Sequence, residues 1–304
     1  MKTELLTQFI ETTIPTIDTA LERYLTFNCE DQRQTLEDAM KYSALAPSKK
    51  IRPLLVIAVA QLFQKDTDPV LPLASAIEMI HTYSLIHDDL PAMDDDTYRR
   101  GQLTCHKQYD EATAILAGDT LNSYAFELLA EELPHHFKAD NVLKCIQLLA
   151  KSFGIHGMAG GQLLDLYAPN ITPSQTLLES IHAKKTGALI TSCFTSVACL
   201  YNATPNDFQQ LEEIGQKMGL LFQVVDDILD ITGTQETLGK TPQKDLEQNK
   251  LTYPALYGLD VSKKIAETLQ EEIQEALHTI PQYHTESHPQ ILLDMIDYLT
   301  KRTS

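Results

Sequence analysis

Long stretches without an interior proline dominate this sequence, and several of them are apolar around their whole circumference. Such stretches predict helices, and helices that are apolar on every face belong in the middle of a bundle. We find no strong run of alternating β-branched and aromatic residues between hairpin turns, which would indicate strands. The predicted helices cover Leu54–Phe63, Leu73–Asp88, Ala112–Glu131, Val142–Leu166, Leu177–Leu200 and Phe208–Asp230.

The segments between these helices are short to moderate, and each contains proline, or glycine with polar residues. No period typical of repeat arrays is present. The sequence therefore predicts one all-α domain over residues 1–304, a helical bundle with a central cavity.

Composition excludes several classes of protein. A net charge of -18 and a pI near 4.9 argue against non-specific nucleic-acid binding, which needs a basic surface. The most apolar stretches, Leu54–Phe63 and Gly187–Tyr201, are shorter than the roughly 20 residues of a membrane span. The N-terminus MKTELLTQFIETT has early acidic residues and no long apolar core, so we expect no signal peptide. Five scattered cysteines indicate reduced thiols and a cytoplasmic location.

The segment SLIHDDLPAMDDDTYRRGQ, which begins at Ser84, places five aspartates within nine positions. Pro91 disfavours helical geometry at the residue before it, so the helix should end near Leu90. Asp88 and Asp89 then lie at the partly negative end of a helix, where a bound cation would offset the repulsion. The bend that follows can bring Asp94 back towards Asp88.

A second acidic cluster stands in FQVVDDILDITG, where Asp226 and Asp230 share one helical face with Asp227 beside them. Basic residues follow each cluster: Arg99 and Arg100 after the first, and Lys240, Lys244 and Lys250 after the second. Magnesium prefers a few carboxylates together with phosphate oxygens, and arginine and lysine bind the remaining oxygens. A solvated charged face is the commoner origin of one acidic cluster, but two in apolar helices indicate a polyphosphate ligand.

Glycine is concentrated in GIHGMAGGQLLDL, from Gly154 to Leu166. Glycine weakens a helix but permits close approach of a neighbouring helix or a ligand. Gln162 and Asp165 lie on one face of this predicted helix, which would direct them into a polar cavity.

The motifs DDLPAMD, RRG and DDILD together resemble the paired aspartate-rich motifs of the trans-prenyltransferases, of the bacterial farnesyl diphosphate synthase type. The similarity extends over most of the chain. Further matching motifs follow in order: KKIRP, IHTYSLIHDD, AGD, GGQLLDL, KTGALI and FQVVDDILD.

The resemblance implies an all-α isoprenoid-synthase fold, a homodimer, and condensation of isopentenyl diphosphate with dimethylallyl or geranyl diphosphate to give farnesyl diphosphate. It implies up to three Mg²⁺ ions, with Asp88 and Asp94 holding two and Asp226 a third, and Asp89 and Asp230 nearby. The residues that match contacts to the allylic substrate are Arg99, Lys185, Thr186, Gln223 and Lys240. The residues that match the isopentenyl diphosphate site are Lys49, Arg52, His81 and Arg100. Catalysis is expected from Asp88, Asp94, Arg99, Lys185 and Asp226.

Two positions on the first acidic helix bear on product length. In the family, a bulky residue five positions before the first aspartate closes the pocket, and Tyr83 holds that position here. Ser84 is too small to obstruct a growing chain. A departure from the family pattern lies upstream, where Gly-Gly-Lys-Arg is usual and this chain has Pro47-Ser48-Lys49-Lys50. Lysine does not reproduce the bidentate grip of arginine.

Some of these sequence features also occur in proteins with other functions. A geranylgeranyl diphosphate synthase would share every motif, and a class I terpene cyclase would share the first aspartate motif. A prenyltransferase subunit without activity is disfavoured by the intact aspartates. A different class is a di-iron carboxylate bundle, because Glu-x-x-His recurs at Glu78/His81, Glu132/His135, Glu179/His182 and Glu275/His278.

Overall fold

The computed structural model describes residues 3–63, 66–232, 251–280 and 289–301, with the side chain of Lys301 excepted. These residues are almost entirely helical, as predicted. They form two compact units. We call the described residues within 8–57 and 66–142 the N-terminal unit, and the described residues within 1–7, 58–65 and 143–304 the C-terminal unit.

Helices α1, α3 and α7 contribute residues to both units. The N-terminal unit contains, in chain order, most of α1 (Glu4–Tyr24), α2 (Arg33–Ala44), the first half of α3 (Ile51–Phe63), α4 (Leu71–Asp88), the strands β1 (Tyr98–Arg99) and β2 (Gln102–Leu103), α5 (Cys105–Gln108) and α6 (Glu111–Glu132). Residues 139–142 begin α7 (Ala139–Phe153).

Helix α4 is the centre of the N-terminal unit. Most of its side chains are buried, which agrees with its lack of a polar face. It packs against α6 and α2. The start of α6 is fixed by Asp110, whose carboxylate accepts a hydrogen bond from the backbone N–H of Thr113 at 2.8 Å. Because most of α4 is enclosed by its neighbours, a fully buried charge on it needs a partner within the protein.

The C-terminal unit continues with the rest of α7 and with α8 (Met158–Tyr167), α9 (Gln175–His182), a π-helical turn (Ala183–Gly187), α10 (Ala188–Leu200), α11 (Pro205–Thr232), α12 (Tyr253–Tyr257), α13 (Leu259–Thr279) and α14 (Gln290–Lys301). Helix α11 packs against α10 and α13, and α8 packs against the π-helical turn. None of the helices in the described ranges is long and apolar enough to cross a bilayer.

The prediction of one helix over Val142–Leu166 is wrong, because the chain is interrupted between α7 and α8. Gly157 lies at this break. A Cβ atom there would stand 1.8 Å from the carbonyl oxygen of Ser152, so the chain turns this tightly only at glycine. The other five predicted helices agree with the structure within a few residues at their ends. The stretch over Leu177–Leu200 is continuous apart from a single π-helical turn.

Candidate active site

The acidic segment of the N-terminal unit turns back on itself directly after α4. The N–H of Met93 donates to the carbonyl oxygen of Leu90 at 2.8 Å, and the N–H of Asp94 donates to that of Asp88 at 2.9 Å. The second bond joins the backbones of the two aspartates that match metal ligands. The predicted return of Asp94 towards Asp88 is therefore confirmed.

Asp89 is only 3% exposed and receives the guanidinium of Arg99. The distances to Asp89 Oδ1 are 2.6 Å from Nε and 2.5 Å from Nη2 of Arg99. Burial raises the pKa of Asp89 against the lowering effect of Arg99. Burial works against the charge of Arg99 as well, but the bond to Asp89 and the charges of the neighbouring aspartates together outweigh it and raise the pKa of Arg99. Asp89 thus orients Arg99, which is also 3.6 Å from Asp96.

Arg99 and Arg100 lie on a two-stranded hairpin that was not predicted from the sequence. Tyr98 pairs with Leu103 and Arg99 with Gln102. The turn residues Arg100 and Gly101 both have positive φ, 55° and 80°, as a type I′ hairpin turn requires. The strands are too short to show an alternation of apolar and polar side chains. The only sequence signal for the hairpin was therefore the pair Arg100-Gly101.

A second group of charges in the N-terminal unit joins the start of α3 to the middle of α4. Arg52 Nη1 lies 3.1 Å from His81 Nε2. Burial holds the pKa of His81 well below its usual range. The pKa is lowered further by the charges of Arg52, Arg100, Arg99 and Lys50. His81 is therefore neutral at neutral pH, and its Nε2 accepts from Arg52. Burial also lowers the pKa of Arg100. The concentration of positive charge around a neutral histidine suits an anion.

The side chains implicated in product length occupy one turn of α4. Tyr83 makes an edge-to-face contact with His87, with ring centroids 5.8 Å apart. Burial, and secondarily the charge of Asp88, raises the pKa of Tyr83 to about 12, so the phenol stays protonated. The hydroxyl of Ser84 donates to the carbonyl oxygen of His81 at 2.8 Å. Tyr83 thus presents a ring close to the acidic end of the helix.

Helix α11 carries the second acidic cluster in the C-terminal unit. Asp227 and Asp230 are each 3% exposed, whereas Asp226 is half-buried. Asp227 accepts from Gln223 Nε2 at 3.0 Å and from the backbone N–H of Tyr253 at 2.9 Å. Of the three aspartates, Asp226 is therefore the one most accessible to a ligand, and Asp227 serves the protein's own hydrogen bonds.

Thr186 and Gln223 form a hydrogen bond in which the donor and the acceptor are fixed by the surroundings. The hydroxyl of Thr186 donates to Gln223 Oε1 at 2.8 Å. Because the amide nitrogen of Gln223 is committed to Asp227, its oxygen must face Thr186. The remaining lone pairs of both oxygens stay available to a ligand with positive charge.

Lys185 and Thr186 belong to the π-helical turn between α9 and α10, and such turns are frequent at functional sites. Lys185 Nζ lies 2.6 Å from Asp165 Oδ2. Helix α8 approaches so closely that a Cβ atom on Gly161 would be 2.2 Å from the backbone nitrogen of Lys185. The close approach expected of this glycine-rich segment is confirmed, and Asp165 faces Lys185.

His182 is a buried neighbour of this network that the sequence analysis did not assign to the prenyltransferase site. Its ring stacks on Tyr253 with centroids 5.5 Å apart, and Nε2 is 3.8 Å from Asp227 Oδ2. Burial lowers its pKa to about 4. To a smaller extent, the charge of Asp165 raises this pKa and the charge of Lys185 lowers it. His182 and Tyr253 lie far from the aspartate motif in sequence, so no local pattern indicated that they would contact Asp227.

Three predicted positions cannot be placed in this site. Lys240, Lys244 and Lys250 lie outside the described residues. Lys49, which matches the isopentenyl diphosphate site, does belong to the described residues. It is exposed and lies shortly before α3 in the N-terminal unit.

Within the described ranges, no three His, Cys, Asp or Glu side chains form a ready-made metal cage. Glu78 and His81, the first of the proposed di-iron pairs, are instead engaged by Lys50 and Arg52.

Comparison with known proteins identifies the family. The polyprenyl synthetase model matches residues 33–285. The chain is 45% identical over 245 residues to a farnesyl diphosphate synthase from Micrococcus luteus, covering 81% of this chain and 83% of the relative. It is 46% identical over 243 residues to a geranylgeranyl diphosphate synthase from Cyanophora paradoxa, covering 79% and 80%.

Among solved structures, the apo crystal structure of an FPP/GFPP synthase from Zymomonas mobilis is similar, with a TM-score of 0.84 and 34% identity over 97% of this chain and 98% of that chain. This chain belongs to the polyprenyl synthetase family. The resemblance and the all-α isoprenoid-synthase fold expected from the sequence are confirmed.

The buried His182 generates a prediction about stability and pH. Its folded-state pKa near 4 lies below its ordinary value of 6.5, so the unfolded chain binds the extra proton as pH falls below 6.5. The stability of the folded state is therefore lost progressively between pH 6.5 and pH 4. In His182→Phe, the unfolding free energy measured in urea should fall between pH 7 and pH 5 by about 2 kcal/mol less than in the wild type.

The control for this measurement is His135→Phe, which replaces an exposed histidine and should keep the wild-type dependence on pH. An equal loss of stability in His182→Phe and the wild type would show that His182 is not the group responsible.

Proposed function

We propose that this protein is a magnesium-dependent prenyltransferase that condenses isopentenyl diphosphate with dimethylallyl and geranyl diphosphate to give (2E,6E)-farnesyl diphosphate. The observation that carries the proposal is the layout of α4. His81, in the group of positive charges, precedes Asp88, in the acidic group, by seven residues, which is two helical turns or about 10 Å. One rigid helix thus carries two kinds of diphosphate site, one basic and one that needs a metal.

The acidic groups fit magnesium. Carboxylates are hard oxygen ligands, and the hydrogen bond between Asp94 and Asp88 brings two of them into one turn. We assign Asp88 and Asp94 to two ions and Asp226 to a third, with Asp89 and Asp230 as supporting residues. When bound, magnesium neutralises the diphosphate and stabilises the charge that develops as it leaves. Asp89 contributes by holding Arg99 in place.

The two diphosphates would be held by different sets of basic residues. Lys49, Arg52, His81 and Arg100 bind isopentenyl diphosphate without a metal, and Arg99, Lys185 and Lys240 bind the allylic diphosphate. Asp165 keeps Lys185 in position through their 2.6 Å contact. The role of Lys240 rests on the family match alone, because it lies outside the described residues.

The reaction needs stabilisation of positive charge as well as negative charge. The allylic carbon–oxygen bond breaks, the double bond of isopentenyl diphosphate forms the new carbon–carbon bond, and a proton is lost to the released diphosphate. The oriented oxygens of Thr186 and Gln223 stabilise the cationic carbon through their dipoles. Such preorganised dipoles cost no reorganisation during the reaction.

Geranylgeranyl diphosphate synthesis is the second candidate, because relatives with similar identity carry both names. Tyr83 favours the shorter product. It lies five residues before Asp88, about 7.5 Å along the helix axis, and its ring is held against His87. A large ring at this depth would close the pocket after fifteen carbons, and the small Ser84 would not.

We further propose that residues 1–304 act as one domain and that the protein is a cytoplasmic homodimer. Exposed apolar side chains support self-association. In the N-terminal unit they lie on α6, and in the C-terminal unit on and beside α8: Ile115, Leu116, Ile155, Leu163, Leu166 and Tyr167. The cysteines of the described residues are free thiols, as in a reducing compartment.

The assignment of the acidic residues is tested by neutralising one aspartate at a time. Asp88→Asn should lower kcat about 100- to 1000-fold, because one preorganised element that stabilises charge is lost. Turnover is measured with labelled isopentenyl diphosphate and geranyl diphosphate at saturating magnesium. Asp95→Asn is the matched control, because Asp95 belongs to the same cluster but is exposed and paired with Lys107 at 3.5 Å. Comparable rates in the two variants would refute the metal assignment.

The role of Tyr83 predicts a change of product. Tyr83→Ala opens volume beside α4 without altering the proposed metal ligands, so the enzyme should stay active and release products at least one five-carbon unit longer. Tyr83→Phe keeps the ring and should still stop at farnesyl diphosphate. Loss of a large aromatic side chain from a packed site typically costs about 3–5 kcal/mol, so folding is checked by thermal melting. An active Tyr83→Ala enzyme that stops at farnesyl diphosphate would place the limit on chain length elsewhere.

A further inference from the structure

Lys50 is a buried lysine that the proposed reaction does not use. It stands directly before α3, is 3% exposed, and has a positive φ of 45°. Its neighbour Lys49 is exposed. Non-glycine residues rarely adopt positive φ, and those that do are held there by their surroundings.

The surroundings of Lys50 consist of oxygen atoms from three parts of the N-terminal unit. Its ammonium donates to the carbonyl oxygen of Ala44 at 2.5 Å. It lies 3.3 Å from Glu78 Oε1 and 3.8 Å from Asp18 Oδ1. Glu78 is 1% exposed. Two buried charges of this kind stabilise a fold no better than apolar residues of the same volume, so stability alone does not account for the pair.

The pair lies beside the contact between Arg52 and His81. Glu78 and His81 are three residues apart on α4 and are neighbours on its surface. Lys50 and Arg52 are two residues apart at the start of α3. The Lys50–Glu78 and Arg52–His81 contacts, at 3.3 and 3.1 Å, therefore join the same two segments at adjacent points. Removal of the first contact frees the start of α3 to shift relative to His81.

We propose that Lys50 is a positioning residue for isopentenyl diphosphate: its buried ammonium, held by Glu78, fixes the segment that carries Lys49 and Arg52 against α4. This inference rests on the proposed function, because it concerns the metal-independent diphosphate site. In this role, Lys50 does not need the bidentate hydrogen bonding of the arginine that the family usually has at this position.

The proposal separates affinity from turnover. A displaced Arg52 would weaken the binding of isopentenyl diphosphate in the ground state and in the transition state alike. Loss of such uniform binding raises KM and leaves kcat unchanged. The acidic groups and Lys185 are not part of this contact, so the KM of geranyl diphosphate should be unaffected.

The test variant is Lys50→Met/Glu78→Gln, which removes both charges together and so avoids an uncompensated buried charge. Its matched control is Lys41→Met/Glu37→Gln, the same pair of changes in another ion pair of the N-terminal unit, at 2.9 Å. The affinity for isopentenyl diphosphate is measured by calorimetry with a chelator present, and KM and kcat are measured with magnesium. Glu78→Gln alone is the milder variant, because Lys50 then keeps Ala44 and Asp18.

We expect the folded double variant to bind isopentenyl diphosphate about 10- to 100-fold more weakly, since displacements near 1 Å have effects of this order. Its kcat at saturation and its KM for geranyl diphosphate should stay within about threefold of the wild type. Glu78→Gln should show a smaller loss in the same direction. Lys50→Arg, which keeps the charge, should retain most of the affinity.

Wild-type affinity for isopentenyl diphosphate in the folded double variant, or in Glu78→Gln if the double variant does not fold, would overturn the role of Lys50. An equal loss in the Lys41 control would overturn it as well, since the effect would then come from general loosening of the unit. If the wild type itself fails to bind isopentenyl diphosphate, the proposed function fails and not only the inference about Lys50.

Discussion

Charge compensation on α4 is the constraint on which the N-terminal unit depends. This buried helix and the residue directly after it carry two almost fully enclosed carboxylates. Each meets a basic side chain from another segment: Glu78 meets Lys50, and Asp89 meets Arg99. Removal of one partner from a buried pair typically costs about 3–5 kcal/mol, so the segment before α3 and the hairpin are tied to α4. Both segments carry positively charged side chains. The two ion pairs therefore hold positive charge around His81 and next to Asp88.

The C-terminal unit uses hydrogen bonds for a similar purpose. The π-helical turn brings Thr186 to Gln223, and Asp227 fixes the amide so that its oxygen faces Thr186. Asp227 also holds the backbone of Tyr253. The middle aspartate of the second motif thus orients its neighbours, which leaves Asp226 as the more exposed carboxylate of the pair. Each unit therefore presents half-buried acidic residues whose surroundings are held by buried ones.

Much of this could be predicted from the sequence, because helices in a bundle are marked by proline-free apolar stretches and the motifs occur in order along the chain. The interruption at Gly154–Gly157 was missed because glycine lowers helix propensity but does not indicate the residue at which a helix ends. The hairpin was missed because its strands are two residues long. The partners of Asp89, Asp227 and Lys50 depend on tertiary contacts, so no local spacing revealed them. The resemblance supplied the residue roles, and the structure supplied the reasons why particular side chains are oriented.

The central claim is that one site for a diphosphate depends on magnesium and the other does not. The most direct test is equilibrium binding of isopentenyl diphosphate and of a non-hydrolysable geranyl diphosphate analogue, each with magnesium and with a chelator. The account predicts that chelation leaves the affinity for isopentenyl diphosphate nearly unchanged and abolishes most of the affinity for the geranyl analogue. Equal dependence of both ligands on magnesium, or independence of both, would contradict it.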